Sequence, residues 1–122
     1  MAKLLIVDDE AGYRKVLRAI FEDEGHDVVT ASDGRAALAH LAKRKRDLII
    51  SDVRMPDIDG IALLKQAREQ DPDIGVVLMT AFGTIETARE AFKLGADDFI
   101  QKPFKPKALR EMLRKLVESP AS

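Results

Sequence analysis

Five side chains able to do chemistry sit where apolar runs of this sequence end. Asp8 and Asp9 follow "LLIV", Asp52 follows "LIIS", Thr80 stands in the last pair of "VVLMTA" and Lys102 follows "FIQ". Taken alone, the acidic triplet Asp8, Asp9 and Glu10 needs no special explanation, because acidic residues favour both a turn and the first turn of a following helix. Taken with Asp52, Thr80 and Lys102, it reads differently. Carboxylates brought together repel one another unless a positive charge sits among them. Hard oxygen ligands without His or Cys select magnesium or a similar divalent ion. Such an ion keeps open positions, which water and phosphate oxygens commonly fill. Phosphoryl chemistry follows as the leading expectation. Asp52 is the candidate nucleophile, since a carboxylate can attack phosphorus without a general base. Lys102 and the metal would neutralise charge on the transferring group, and Thr80 could donate a hydrogen bond to a phosphoryl oxygen.

That chemistry requires the runs to be neighbouring strands. The chain has 122 residues, 46% hydrophobic and 34% charged, which fits one soluble globular domain with a real core. Its net charge of -1 argues against direct binding of nucleic acid, whose phosphates usually demand a basic excess. The absence of cysteine removes disulfides, thiol catalysis and thiolate metal sites. No signal-peptide core or membrane-length apolar run is visible, so a cytoplasmic protein with no membrane contact is expected.

Short apolar runs alternate with helical periods. The runs Leu4 to Val7, Val28 to Ala31, Leu48 to Ser51, Val76 to Ala81 and Phe99 to Gln101 predict five strands. The first, third and fourth lack alternation, as expected where helices cover both sheet faces. Tyr13, Val16, Leu17, Ile20 and Phe21 form a helical stripe that stops at Gly25. Ala37, Leu38 and Leu41 suggest a second helix, and Ile61, Leu63, Leu64 and Ala67 a third, closed before Pro72. Ile85, Ala88, Ala91 and Phe92 give a fourth, with Thr84 as its cap, Glu86 in its first turn and Gly95 at its end. Leu109, Met112, Leu113, Leu116 and Val117 give a fifth, with Pro106 near its start.

Strict alternation with short links predicts an α/β fold, a doubly wound parallel sheet with right-handed crossovers. Between the dinucleotide-binding order and the flavodoxin-like (βα)5 order 2-1-3-4-5, five strands fit the second better. Ligands of such sheets bind at the carboxyl ends of the strands, where Asp8, Asp9, Asp52, Thr80 and Lys102 would meet.

The pieces "IVDDE", "SDVRMPDIDG", "LMTAFG" and "GADDFIQKPF" resemble the receiver domains of bacterial two-component response regulators, in the same order and spacing. The likeness runs from about Lys3 to Val117, within a single domain spanning residues 1–122. It implies that Asp52 is the phosphoacceptor, and that Asp8 and Asp9 serve magnesium, with Asp9 the direct ligand. It further implies that Asp52 and the backbone carbonyl of Arg54 complete the metal site. Thr80 falls at the family's switch hydroxyl, Lys102 at its lysine, Phe99 at its switch aromatic, and Lys102 to Pro103 at its cis peptide. The phosphoryl group would come from a histidine kinase or a phosphotransfer protein. A surface on the fourth helix, fifth strand and fifth helix would relay the change to an output, with a phosphorylation-dependent homodimer among the family's options. The segment "MTAFGTIETAREAFKLGADDFIQKPF" is similar to receivers of sigma-54-dependent activators or other DNA-binding outputs, and to single-domain phosphorelay receivers. Arg54 and Phe82 are bulky at the positions that tune phosphoryl lifetime in the family, so a long-lived phosphorylated state is expected.

Two other functions compete. A metal-dependent phosphohydrolase would usually need a second acid-base carboxylate near the nucleophile, and Arg54 stands where an Asp-x-Asp pattern would have it. A nucleotide-binding domain lacks its glycine-rich loop after the first strand. The basic run Lys43 to Arg46 reads as a solvated helix end favoured by the helix dipole, and "DIDG" at Asp57 to Gly60 as a turn and cap. His26 and His40 carry no assigned role.

Overall fold

The computed structural model describes residues 2–81 and 85–118. Strands β1 (Lys3–Val7), β2 (Asp27–Ala31), β3 (Leu48–Asp52), β4 (Gly75–Thr80) and β5 (Asp98–Gln101) alternate with helices α1 (Ala11–Asp23), α2 (Gly34–Lys43), α3 (Gly60–Gln70), α4 (Ile85–Lys93) and α5 (Pro106–Glu118). The sheet is parallel, in the order β2-β1-β3-β4-β5 expected from the alternation. Its register pairs Val7 with Ala31 and Ser51, Asp52 with Met79, and Thr80 with Gln101. The carboxyl ends of β1, β3, β4 and β5 therefore lie along one edge.

The unbroken apolar runs divide between two cores, because successive side chains of a strand point to opposite faces. Leu5, Val7, Ile49, Val76 and Leu78 pack with Ala37 of α2, Leu63, Leu64 and Ala67 of α3, and Ala91 of α4. Leu4, Ile6, Ile50, Val77 and Met79 pack with Leu17, Ile20 and Phe21 of α1 and with Leu109, Met112 and Leu113 of α5. Helix α1 ends on a left-handed glycine. At Gly25 (φ 90°) its N–H donates to Glu22 O at 2.9 Å, while His26 N–H donates to Phe21 O at 3.1 Å. Gly95 (φ 98°) closes α4 in the same way, through Phe92 O and Ala91 O. This double bond pattern satisfies the last free carbonyls of a helix and requires a positive φ that glycine adopts without strain.

Several expectations need correction. Val16 and Phe92, though on apolar stripes, are each 49% exposed. Each sits one residue from a fully buried neighbour, Leu17 and Ala91, and so about 100° round the helix from the core. Ala81 lies in a turn beyond β4, and β1, β2, β4 and β5 each begin one residue before their apolar run. Arg46 is not a solvated charge. It is 5% exposed and donates through Nη2 to Leu4 O at 2.9 Å, to Asp27 O at 3.2 Å and to Asp27 Oδ1 at 3.3 Å. Lys43, Arg44 and Lys45 are exposed, as expected. Asp59 caps α3 by accepting from Ala62 N–H at 2.8 Å, in keeping with the reading of "DIDG". Phe82 and Thr84 lie outside the described residues.

Candidate functional site

The site is assembled by where the strands stop. Asp8, just past β1, is fully buried, and its backbone N–H donates to Ala31 O at 3.2 Å. Its carbonyl accepts from Arg14 Nη1 at 2.7 Å and its Oδ1 accepts from Glu10 N–H at 2.9 Å. These bonds fix the chain as it turns from strand into α1. Asp9 and Glu10 are exposed, and the carboxylate oxygens of Asp8, Asp9 and Glu10 come within 4.8 Å of one another. Glu10 thereby joins the acidic cluster, although the sequence reading gave it no ligand role.

Asp52 ends β3 and is 7% exposed. Its Oδ1 accepts from Arg54 N–H at 3.3 Å, and its carbonyl accepts from Ser51 Oγ at 2.9 Å. The following residue is tied on both sides: Val53 N–H donates to Met79 O and Gly60 N–H donates to Val53 O, each at 2.8 Å. Gly60 lies so close that a Cβ there would stand 2.5 Å from Asp52 O and 2.8 Å from Val53 Cα. Only glycine lets α3 start against the backbone that carries Asp52. The loop between them passes through Asp57 at φ 70°, whose Oδ2 pairs with Arg35 Nε at 3.1 Å.

Thr80 ends β4, is buried, and its carbonyl accepts from Lys102 N–H at 2.9 Å. Lys102 is the first residue after β5, and the Lys102–Pro103 peptide is cis. Its side chain is 3% exposed, with Nζ 2.7 Å from Asp8 Oδ2 and 3.2 Å from Asp52 Oδ2. The ammonium also lies over the ring of Tyr13, with the centroid 3.8 Å from Nζ, and Phe104 packs against that ring. Phe99, on β5 beside Leu78, is half-buried against the core shared with α2, α3 and α4. Arg54 is exposed. The structure thus brings Asp8, Asp52 and Lys102 into direct contact, sets Asp9 and Glu10 at their rim, and puts Thr80 on the adjoining strand end.

The electrostatics of this cluster are unequal. Burial raises the pKa of Asp52 above its ordinary value, Lys102 lowers it, and Asp8 raises it again, leaving it raised. Burial alone would lower the pKa of Lys102, but the hydrogen bond and charge of Asp8, then Asp52, leave it raised. The two directions fit one geometry. Lys102 belongs chiefly to Asp8, at the shorter distance, and Asp52 is the under-compensated carboxylate. Four carboxylates against one ammonium, all oxygen donors, fit a hard divalent cation such as magnesium. A hollow of about 640 Å³ lies elsewhere, lined in part by Asp47, Arg68, Gly75 and Asp97.

Residues 4–114 match the response regulator receiver domain. The chain belongs to that family. It is 41% identical over 112 residues to the transcriptional regulatory protein ZraR of Salmonella typhimurium, covering 92% of this chain and 25% of that protein. It is equally identical over the same length to the probable transcriptional regulator ycf27 of Guillardia theta, covering 44% of that protein. This receiver domain therefore spans a quarter to under half of these relatives. Among solved structures, chemotaxis protein CheY4 of Vibrio cholerae matches with a TM-score of 0.90 and 36% identity, covering 96% of this chain and 99% of that one. NtrX from Brucella abortus matches with a TM-score of 0.91 and 39% identity, covering 98% of this chain and 28% of that one. Receiver domains of two-component systems are signalling switches for which magnesium and a phosphoaspartate are standard. Among the described residues no helix is long and apolar enough to cross a membrane.

Proposed function

We propose that this receiver accepts a phosphoryl group on Asp52 and thereby switches the surface formed by α4, β5 and α5. The observation that carries the proposal is the buried Lys102 ammonium held between Asp8 and Asp52 at the edge where the strands end. An Asp52 carboxylate oxygen bonds to phosphorus as the phosphorus–nitrogen bond of a histidine kinase or phosphotransfer protein breaks, and the electron pair returns to that imidazole nitrogen. Lys102, already at Asp52, meets the incoming phosphoryl oxygens, and Thr80 donates its hydroxyl to one of them. Asp8, Asp9, Asp52 and the carbonyl of Arg54 would hold magnesium, with Asp9 as a direct ligand, and the ion supplies positive charge beside the phosphoryl oxygens. Phe99 would follow Thr80 inward and change the outer face of β5.

A transcriptional output is the reading supported by relatives described as transcriptional regulators. In this reading residues 1–122 form one cytoplasmic receiver domain, with its core at about 3–117. It serves a DNA-binding output domain or a downstream protein, is open to phosphorylation-dependent dimerisation, and does not itself bind nucleic acid. Arg54 and Phe82 would slow loss of the phosphoryl group by crowding the path of water; an unchanged loss rate in Arg54→Ala would remove that role.

The competing phosphohydrolase reading is separated by stoichiometry. With a small phosphodonor and magnesium, a switch retains up to one phosphoryl group per chain and releases phosphate only as slowly as the adduct decays. Steady multiple turnover without a retained adduct would instead support the hydrolase.

A further inference from the structure

An ammonium carries three N–H donors, and two of those of Lys102 face carboxylate oxygens. The same ammonium also lies over the face of Tyr13, 3.8 Å from ring centroid to Nζ. A ring face carries partial negative charge, so this is a cation–π contact in a nearly dry environment, where such contacts are strongest. The ring is braced by Phe104, with centroids 5.8 Å apart and planes at 54°, and Phe104 lies two residues beyond Lys102. Tyr13 also lines a hollow of about 330 Å³ with Glu10, Gly12, Val16, Pro103 and Phe104. Tyr13 therefore borders both that hollow and the ammonium. Its stripe neighbours Leu17, Ile20 and Phe21 are buried in the core, whereas Tyr13 is half-buried at the site.

We infer that Tyr13 is a positioning residue for Lys102, a role that rests on the function proposed above. The lysine stem has four rotatable carbons, and Asp8 holds the ammonium more closely than Asp52 does. A ring face lying against the ammonium keeps it from turning outward into water. The group then stays within reach of a phosphoryl oxygen arriving on Asp52. The hydroxyl of Tyr13 has no part in this, so phenylalanine preserves the effect and an aliphatic side chain does not.

The test compares wild type, Tyr13→Phe and Tyr13→Leu in the presence of magnesium. It reads the rate of adduct formation from acetyl phosphate, the magnesium affinity by amide NMR titration, and the proton shifts of the Lys102 ε-methylene. Tyr13→Phe is expected within about twofold of wild type, and Tyr13→Leu about three- to thirtyfold slower, from the usual strength of a cation–π contact. Magnesium affinity is expected to be unchanged. The ε-methylene protons are expected to lose their upfield ring-current displacement only in Tyr13→Leu. Should that chain lose cooperative unfolding, Tyr13→Met, close in size and without a ring, replaces it. Equal rates in all variants, equal slowing in Tyr13→Phe, or an ε-methylene shift indifferent to the ring would each overturn this role. A wild-type chain that takes no phosphoryl group would overturn the receiver chemistry, and this role with it, whatever the NMR shifts.

Discussion

Lys102 and Asp8 form a buried ion pair, Nζ to Oδ2 at 2.7 Å, between residues 94 positions apart. The same ammonium reaches Asp52 at 3.2 Å. One cation therefore serves two buried carboxylates at unequal distances.

Removing Lys102 leaves both carboxylates buried without their cation. Breaking a buried pair by deleting one partner costs about 3–5 kcal/mol. Lys102→Ala is expected to lose stability in that range by urea unfolding at neutral pH without magnesium, and to regain part of it when magnesium is added. A loss below about 1 kcal/mol, the range of an exposed pair, would show that the ammonium is not held as described.

Asp52 behaves in the opposite sense. Its pKa is raised in the folded chain, chiefly by burial. The folded state therefore holds this proton more tightly than the unfolded state, and the stability it contributes is lost as pH rises through its folded pKa. Asp52→Asn should thus unfold at a higher temperature than wild type at neutral pH without magnesium. The difference should shrink as pH falls through the raised pKa and vanish below the ordinary carboxylate range. Added magnesium should stabilise wild type more than the mutant. An Asn variant less stable than wild type at neutral pH without magnesium would contradict the account.

Gly60 tests how closely the fold supports the site. A methyl there meets backbone atoms of Asp52 and Val53 at 2.5 and 2.8 Å, which cannot yield as a side-chain tip can. Gly60→Ala is expected to cost about 1–3 kcal/mol, the usual range for overpacking, and to slow phosphoryl uptake by displacing the turn after Asp52. Gly12 is the control, because a methyl added there would meet nothing within 4 Å, and Gly12→Ala should leave stability and uptake nearly unchanged.

The basic run should divide sharply. Arg46→Ala removes the donor to two buried or half-buried carbonyls, Leu4 O and Asp27 O, and should cost about 1–3 kcal/mol. Lys43→Ala, Arg44→Ala and Lys45→Ala should each stay within about 0.5 kcal/mol of wild type. Equal effects across the four positions would return the run to a uniform solvated helix end.

These contrasts mark what could be read from residues alone. Apolar runs and helical stripes are local, so β1 to β5, α1 to α5 and the sheet order were legible, as were the edge positions of Asp8, Asp52, Thr80 and Lys102. Gly25 and Gly95 were legible as helix stops because glycine tolerates the left-handed turn that ends a helix. Beyond the meeting of these strand ends, contacts made across the fold were not. Nothing local to Lys102 shows that it is buried against Asp8, or that Tyr13 covers it, since the partners lie at the end of β1 and on α1. Arg46 looks like its exposed neighbours until β1 and β2 place carbonyls beside it. Gly60 reads as part of a cap, and only the approach of α3 to Asp52 gives it a second purpose. Glu10 was visible in "DDE", but only the turn into α1 sets its carboxylate beside those of Asp8 and Asp9.

The most direct test of the central claim is intact-mass spectrometry after incubation with acetyl phosphate, with and without magnesium, for wild type and Asp52→Asn. The account predicts a gain of one phosphoryl group in wild type that requires magnesium and is absent in the mutant. An adduct that persists in Asp52→Asn, or a wild type that takes up no phosphoryl group with magnesium present, would contradict it.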